Sequence, residues 1–467
     1  MNPLKAVVLA LALATAQPVL ADSSPDVQRA RALLEAGKSD EAAAALEQAI
    51  ARNQSDVEAL VMLSELYAYS EMYDEALAQA QAAVAVAPKD SSALYARGRA
   101  WMLKEDNAKA KADFDAVLAQ GPDGPALVDR GHVKGKMGDD KGAIADFEAA
   151  ARLRPDWLPP LLNLTVQHFY QERYEESLVF NDRSLALDPH HYGALGLRAA
   201  MLSLLGRTEE AVTVSEHLVR EYPKDLEAQL QLGRSYEAAG RTEDALKAYT
   251  AAIKIDGQSA EAWIGRGRAL ASKDEYKAAL RDFDRAILID PANAELLADR
   301  ARARAATGDD RARADFDTAL KIDPVSAYAL IRRGYYNLDQ EDYDGALNDF
   351  DAALKIDSTD LSALLGRVSA LLYQERFDRA LRDVNRAIEL SPVAMMHRLK
   401  GSIYAGMEDH LQAIASFDEA IRLDPADAEA WLYRSESKAA LGDTAGAASD
   451  RAQALRLNPR IEAELAA

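Results

Sequence analysis

A 34-residue period runs through this chain, and it constrains the fold more than any other feature. Counted from Val57, leucines, aromatic residues, alanines and prolines return to the same positions in successive segments. The first segment has Leu60, Leu63, Tyr67, Ala76, Ala83 and Pro88, and the next has Leu94, Gly98, Trp101, Ala110, Phe114 and Pro122. Similar chemistry at a fixed period indicates stacked copies of one supersecondary unit.

Each period predicts two helices. Apolar residues recur at spacings of three and four over two successive runs, which is the helical pattern. A turn signal such as Gly240-Arg241 separates the runs, and a pair such as Asp290-Pro291 closes the repeat. We name the first helix of a repeat the A helix and the second the B helix. Thirteen repeats are expected: 23–56, 57–90, 91–123, 124–157, 158–191, 192–225, 226–259, 260–293, 294–326, 327–360, 361–393, 394–427 and 428–461.

The pattern resembles that of the tetratricopeptide repeat (TPR) family, in particular exported bacterial members with many repeats. The resemblance covers 23–461, with few departures. The repeat at 294–326 lacks one residue at its inner turn and carries Arg304 where an aromatic residue is usual. The resemblance to this family implies an all-α, right-handed superhelical solenoid of about thirteen helix-turn-helix repeats. The solenoid would be continuous over 22–461 and followed by a short C-terminal stub at 462–467.

The N-terminus predicts export. One positive charge precedes the apolar run at 6–16, and small residues end at Ala21, which is the layout of a signal peptide over 1–21. An ordinary apolar first helix is the alternative. The run is too short to span a bilayer comfortably, and no later segment is apolar enough to do so. The chain has no cysteine, so neither a disulfide nor a lipid-bearing cysteine is available. We expect a periplasmic or secreted protein.

Charge further restricts the partners. Lys and Arg number 55 and Asp and Glu number 76, giving a net charge of −21. Such a protein repels nucleic acid and anionic membranes at long range, so neither is an expected partner.

Two repeat positions change together. Nine repeats carry Arg at the seventh position of the A helix, and seven of them carry Asp just before the aromatic position of the B helix, whereas the repeats with Arg29 and Arg198 lack it; no repeat has this Asp without the Arg. A partly buried carboxylate needs a nearby cation, so we expect these pairs to brace the two helices and to have no catalytic role. The pairs are Arg97 and Asp113, Arg130 and Asp146, Arg266 and Asp282, Arg300 and Asp315, Arg333 and Asp349, Arg367 and Asp383, and Arg434 and Asp450.

The resemblance also implies a binding surface, because A helices line the concave groove in that family. The candidate groove residues are Tyr95, Arg99, Phe169, Tyr170, Arg234, Arg268, Arg302, Arg332, Tyr335 and Tyr373. Arg234, Arg268 and Arg302 lie one period apart and would hold carboxylates of a partner. Alternatively, the arginines neutralise recurring acids such as Glu261 and Glu295, and the tyrosines pack between repeats. The segment from Trp157 to Tyr170 is less regular and is expected to be a contact site; the alternative is a repeat adapted to a bend.

Motifs of catalysis and metal binding are missing from the sequence. It has no His-Glu-x-x-His, glycine-rich phosphate loop or Gly-x-Ser-x-Gly elbow. The adjacent His190 and His191 lack nearby ligands in the sequence and are interpreted as a polar turn. We therefore expect no enzyme activity, catalytic residue, metal or cofactor.

The predicted function is a protein–protein interaction scaffold or adaptor of the bacterial cell envelope, which binds a protein or peptide segment in the groove. The alternative is a scaffold of polysaccharide or peptidoglycan machinery whose groove aromatic residues contact glycan. Self-association through an end repeat is compatible with both.

Overall fold

A computed structural model describes residues 23–465. Throughout that range the chain is helical and without strands, and consecutive helices pack in pairs joined by tight turns. The all-α architecture of paired helices predicted from the sequence is confirmed. The predicted signal peptide at 1–21 lies outside the described residues.

The chain divides into two compact units, one ending at Glu221 and the other beginning at Tyr222. The first unit contains six helix pairs: Pro25–Glu35 with Ser39–Arg52, Val57–Tyr69 with Tyr73–Val86, Ser91–Leu103 with Asn107–Leu118, Gly124–Lys136 with Asp140–Leu153, Leu158–Tyr170 with Tyr174–Leu187, and Tyr192–Leu204 with Thr208–Glu221.

The second unit contains seven pairs and a short final helix. They are Leu226–Ala238 with Thr242–Ile255, Ala260–Ala271 with Tyr276–Ile289, Ala294–Ala306 with Ala312–Ile322, Ala327–Asp339 with Tyr343–Ile356, Leu361–Tyr373 with Phe377–Leu390, Ala394–Gly406 with His410–Leu423, Ala428–Ala440 with Thr444–Leu457, and the single helix Ile461–Leu465. Ile461 packs on Leu432 and Ala454, so this last helix covers apolar surface of the final repeat.

Local sequence explains where the helices begin and end. Asn293 follows Asp290-Pro291, and its side-chain oxygen accepts a hydrogen bond from the backbone N–H of Leu296 at 3.0 Å. At the turn between the helices of a pair, Gly240 adopts a φ of 69°. Other repeats place a non-glycine residue in this left-handed region, such as Glu341 at 58° and Glu375 at 54°.

An aromatic residue of the B helix fills the space between the helices of a pair. Phe283 is fully buried, and its ring lies against Gly267 of the A helix. A Cβ atom added at Gly267 would lie 2.6 Å from Cε1 of Phe283, which is too close for a real contact. The recurring glycine therefore permits the close packing of the two helices.

The irregular repeat at 294–326 adapts through charge. Arg304 occupies the position of the usual aromatic residue, and its Nη1 lies 2.6 Å from the Asp315 carboxylate. Its side chain is 11% exposed, so an ion pair replaces apolar packing at this position. Within residues 23–465, no helix has the length and apolar character that crossing a membrane requires.

Candidate functional site

The seven predicted Arg–Asp pairs are confirmed. In each pair, the Nε and Nη2 atoms of the arginine donate hydrogen bonds to the two carboxylate oxygens of the aspartate, over 2.6–2.9 Å. The aspartates are only 3–9% exposed. Each bidentate pair links the A helix to the B helix of one repeat.

A second carboxylate, which the sequence analysis missed, ties many of these arginines to the preceding repeat. The Nη1 atom of Arg300 donates to Asp284 at 2.8 Å, and that of Arg367 donates to Asp351 at 2.6 Å. This second carboxylate belongs to the B helix of the preceding repeat. It lies two residues after the aspartate that is paired within that repeat, as Asp284 follows Asp282 in the motif Asp-Phe-Asp. Because the motif is visible in the sequence, its repetition was the available signal.

Two cations meet the carboxylate of Asp450. Burial raises the pKa of Asp450, whereas hydrogen bonds from Arg434 and Lys438 lower it, and the balance leaves the pKa below its ordinary value. A carboxylate held ionised between two cations is a poor proton donor or acceptor near neutral pH. The pairs therefore have a structural role.

In the first unit, the candidate residues Tyr95 and Arg99 lie beside two buried acids. The hydroxyl of Tyr95 donates to Asp129 at 2.7 Å, and Arg99 lies 3.8 Å from both Glu65 and Asp129. Burial raises the pKa of Glu65 and of Asp129 above their ordinary values, although the charge of Arg99 acts in the opposite direction. Here the alternative interpretation is supported, because Arg99 neutralises neighbouring acids.

The aromatic candidates differ in accessibility. Phe169 packs against Tyr174, with ring centroids 5.7 Å apart, while the neighbouring Tyr170 is 77% exposed. Tyr373 is 67% exposed and stacks on Tyr343, with centroids 4.9 Å apart and planes 14° apart. The segment from Trp157 to Tyr170, whose sequence departs from the period, forms the A helix Leu158–Tyr170, and its role as a contact site stays a prediction.

In the second unit, the A helices present a row of charges that we name the second-unit A face. It comprises the second, sixth and ninth positions of the repeats that begin at 226, 260, 294 and 327. Its charged and aromatic members are Glu227, Arg234, Glu261, Arg268, Glu295, Asp299, Arg302, Tyr328, Arg332 and Tyr335.

Two of the four arginines of this row, Arg234 and Arg268, are already paired with carboxylates. Arg234, at a ninth position, forms ion pairs with Glu227 of its own repeat and Glu261 of the next. Arg268 lies 2.5 Å from Asp299 and 3.5 Å from Glu295, both in the next repeat. Each of these two ninth-position arginines therefore pairs with an acid at the second or sixth position of the following A helix.

Arg302 and Arg332 break this rule. At the second and sixth positions of the repeat that follows Arg302, the sequence has Tyr328 and Arg332, whereas the preceding repeat has Glu295 and Asp299 there. Within residues 23–465, neither Arg302 nor Arg332 has a carboxylate within 4.0 Å, and the buried Nε of Arg302 has no hydrogen-bond acceptor. Two half-buried guanidinium groups thus lie where the other repeats place an Arg–carboxylate pair.

A tyrosine ring lies against Arg332. The guanidinium of Arg332 lies 4.9 Å from the ring centroid of Tyr328, whose hydroxyl donates to the buried Asp299. Tyr335 is 36% exposed and donates to the backbone carbonyl of Ser362 at 2.8 Å. Sequence analysis found Arg302, Arg332 and Tyr335, but it missed Tyr328 because a tyrosine at a second position breaks the period of glutamates.

Comparison with known proteins agrees with the paired helices. One family described as Tetratricopeptide repeat matches residues 230–295, 298–360, 365–406 and 399–460. A second family with the same description matches residues 33–101. Residues 125–255 match the Bacterial transcriptional activator domain. No curated protein matches the sequence.

Two solved structures are similar to the chain. One is described as the APC/C hetero-tetramer Cut9-Hcn1, with a TM-score of 0.46 and 15% identity over 92% of this chain and 98% of that chain. The other is a tetratricopeptide repeat protein from Parabacteroides merdae ATCC 43184, with a TM-score of 0.49 and 22% identity over 53% of this chain and 98% of that chain. The tetratricopeptide repeat matches together span more than half of the sequence. The chain therefore belongs to the tetratricopeptide repeat family of protein-interaction scaffolds.

Proposed function

We propose that this protein is an adaptor of the bacterial cell envelope that binds an acidic segment of a partner protein on the second-unit A face. The observation that carries the proposal is the pair of arginines, Arg302 and Arg332, that lack the carboxylates found at the equivalent positions of neighbouring repeats. A carboxylate of the partner would complete the same pattern.

Physical chemistry favours an anion beside each of these arginines. Each guanidinium is half-buried, so less water is available to screen its charge, and no carboxylate of the described residues lies within 4.0 Å to compensate for that loss. A guanidinium binds a carboxylate through two parallel hydrogen bonds, each stronger than a bond between neutral groups. Such a charge-assisted bond contributes about 1.5–3 kcal/mol.

The surrounding tyrosines favour a protein segment as the source of that carboxylate. Tyr335 offers exposed ring surface next to the arginines, and Tyr328 holds Arg332 through its ring face. An aromatic surface beside a cationic pair suits an extended chain with an acidic residue flanked by apolar ones.

The envelope location rests on the signal-peptide pattern at 1–21. Expression of the full chain in a bacterial host, followed by fractionation and mass measurement of the mature protein, tests it. We expect a periplasmic product that begins after Ala21. An uncleaved protein that remains in the cytoplasm would contradict the location without affecting the binding surface.

A quantitative capture experiment tests the binding surface. The purified protein and the double variant Arg302→Ala/Arg332→Ala are immobilised and exposed to envelope extract, and the captured proteins are measured by mass spectrometry. Arg281→Ala is the matched control, because Arg281 is exposed on a B helix of the same unit. We expect the double variant to capture at least tenfold less of one or more specific partners than the parent protein does, and the control variant to capture the same amount as the parent.

Salt and competing ligands sharpen the test. Binding through a charged contact should weaken between 50 and 300 mM salt, on the scale of ordinary ionic screening. Parallel samples contain soluble peptidoglycan fragments, which test the glycan alternative, and duplex DNA, which tests the match to the transcriptional activator domain. Equal capture by the double variant and the control would refute the proposed surface.

A further inference from the structure

Three side chains of types that bind metal ions meet at the end of the first unit. His190 lies in the turn before the helix Tyr192–Leu204, and His217 and Glu221 lie near the end of the following B helix. The Nδ1 atom of His190 is 3.0 Å from one oxygen of Glu221, and the Nε2 atom of His217 is 3.7 Å from the other. One ligand atom from each residue falls within 4.8 Å of the other two.

Helical spacing explains half of this cluster. His217 and Glu221 are four residues apart on one helix, so both side chains project from the same face. His190 comes from a turn 27 residues earlier, which the stacking of two repeats brings to the helix end. The rings of His190 and His217 lie with centroids 5.8 Å apart. The adjacent His191 is excluded, because its Nδ1 caps the next helix by accepting from the backbone N–H of Ala194.

We infer that His190, His217 and Glu221 form a binding site for a divalent transition-metal ion of the zinc class. Two imidazoles and one carboxylate are a common protein ligand set for Zn²⁺. Around a tetrahedral ion with bonds of about 2.0–2.2 Å, ligand atoms lie about 3.3–3.6 Å apart. The observed distances differ from this range by about an ångström or less, which side-chain rotation accommodates.

The surroundings suit an exchangeable ion. The side chain of His190 is 61% exposed, and those of His217 and Glu221 are about one-third exposed, so the ion has a path from solvent. Glu221 supplies a negative charge, and the net charge of −21 favours cations near the surface. Three protein ligands leave a fourth position for water or for a donor from a partner.

Titration of the untagged, metal-free protein with Co²⁺ and Zn²⁺ tests this site. Calorimetry gives the stoichiometry and affinity, and the visible absorption of bound Co²⁺ reports nitrogen ligation and coordination number. The variants are His190→Ala and His217→Ala. His191→Asn is the matched control, because asparagine preserves the helix cap while removing the neighbouring imidazole.

We expect one equivalent of Co²⁺ to bind with a visible spectrum typical of four- or five-coordination, and Zn²⁺ to displace it. Each histidine variant should weaken binding at least tenfold and lose this spectrum, whereas His191→Asn should keep both. Circular dichroism shows whether the variants remain folded, and Glu221→Gln provides a second, conservative removal of a ligand. Absence of saturable binding, or binding that the three ligand variants leave unchanged, would overturn the proposal.

Discussion

Replacing Asp282 with alanine is the most direct test of the Arg–Asp braces. Asp282 is 4% exposed and accepts two hydrogen bonds from Arg266, at 2.7 and 2.8 Å. Among residues 23–465, Arg266 has no second carboxylate within 4.0 Å; its guanidinium also contacts the hydroxyl of Thr250 at 3.4 Å and lies 4.8 Å from the ring centroid of Trp263. The variant therefore leaves Arg266 without a counterion.

The magnitude follows from burial. Breaking a fully buried ion pair costs about 3–5 kcal/mol because a charge is left without its partner. The side chain of Arg266 is 23% exposed, so its charge regains part of its hydration, and the loss should be about 2–3 kcal/mol. Asp383→Ala provides a contrast, because Arg367 keeps Asp351 at 2.6 Å. That variant should lose about 1–2 kcal/mol.

Hydrogen exchange measured by mass spectrometry is the suitable assay, because a repeat protein opens locally and a single melting curve averages over its repeats. Loss of protection should concentrate in Ala260–Ala271 and Tyr276–Ile289 for Asp282→Ala. Asp310→Ala, at an exposed site in the same unit, is the surface control. Equal protection in Asp282→Ala and Asp310→Ala would refute the bracing role, and a larger loss in Asp383→Ala would refute the reasoning about the second carboxylate.

Three further predictions concern the turns, the core and a buried acid. Glu341→Gly should stabilise its repeat by up to about 1 kcal/mol in thermal or urea unfolding, because φ is 58° there; destabilisation would contradict this. Gly267→Ala should cost about 1–3 kcal/mol, since its Cβ would lie 2.6 Å from the Phe283 ring, and the added change Phe283→Leu should recover part of the loss. Burial raises the pKa of Glu65 in the folded state, so protonation favours folding and stability increases as the pH falls through that pKa toward the ordinary value of 4.5. Glu65→Gln should therefore be more stable than the parent at pH 7.5, with an advantage that shrinks toward pH 5; a constant difference would refute it.

Local spacing allowed much of the fold to be predicted. The helix pairs follow from a helical period within each repeat, and the turn at Gly240 follows from a residue that tolerates positive φ. The pairing of Arg266 with Asp282 was also accessible, because both residues lie in one helix pair and change together along the chain.

The sequence by itself determined the repeat, its two helices and the contacts inside it, because these depend on residues at fixed short spacings. Only the tertiary structure decided which arginines are already neutralised, because the partner of Arg268 comes from the next repeat, whereas the corresponding partner of Arg302 is missing. It also brought His190 from a turn to His217 and Glu221 on a helix. Stacking of one repeat on another creates such contacts, and the charge and ligand sets that result depend on side chains that do not follow the period.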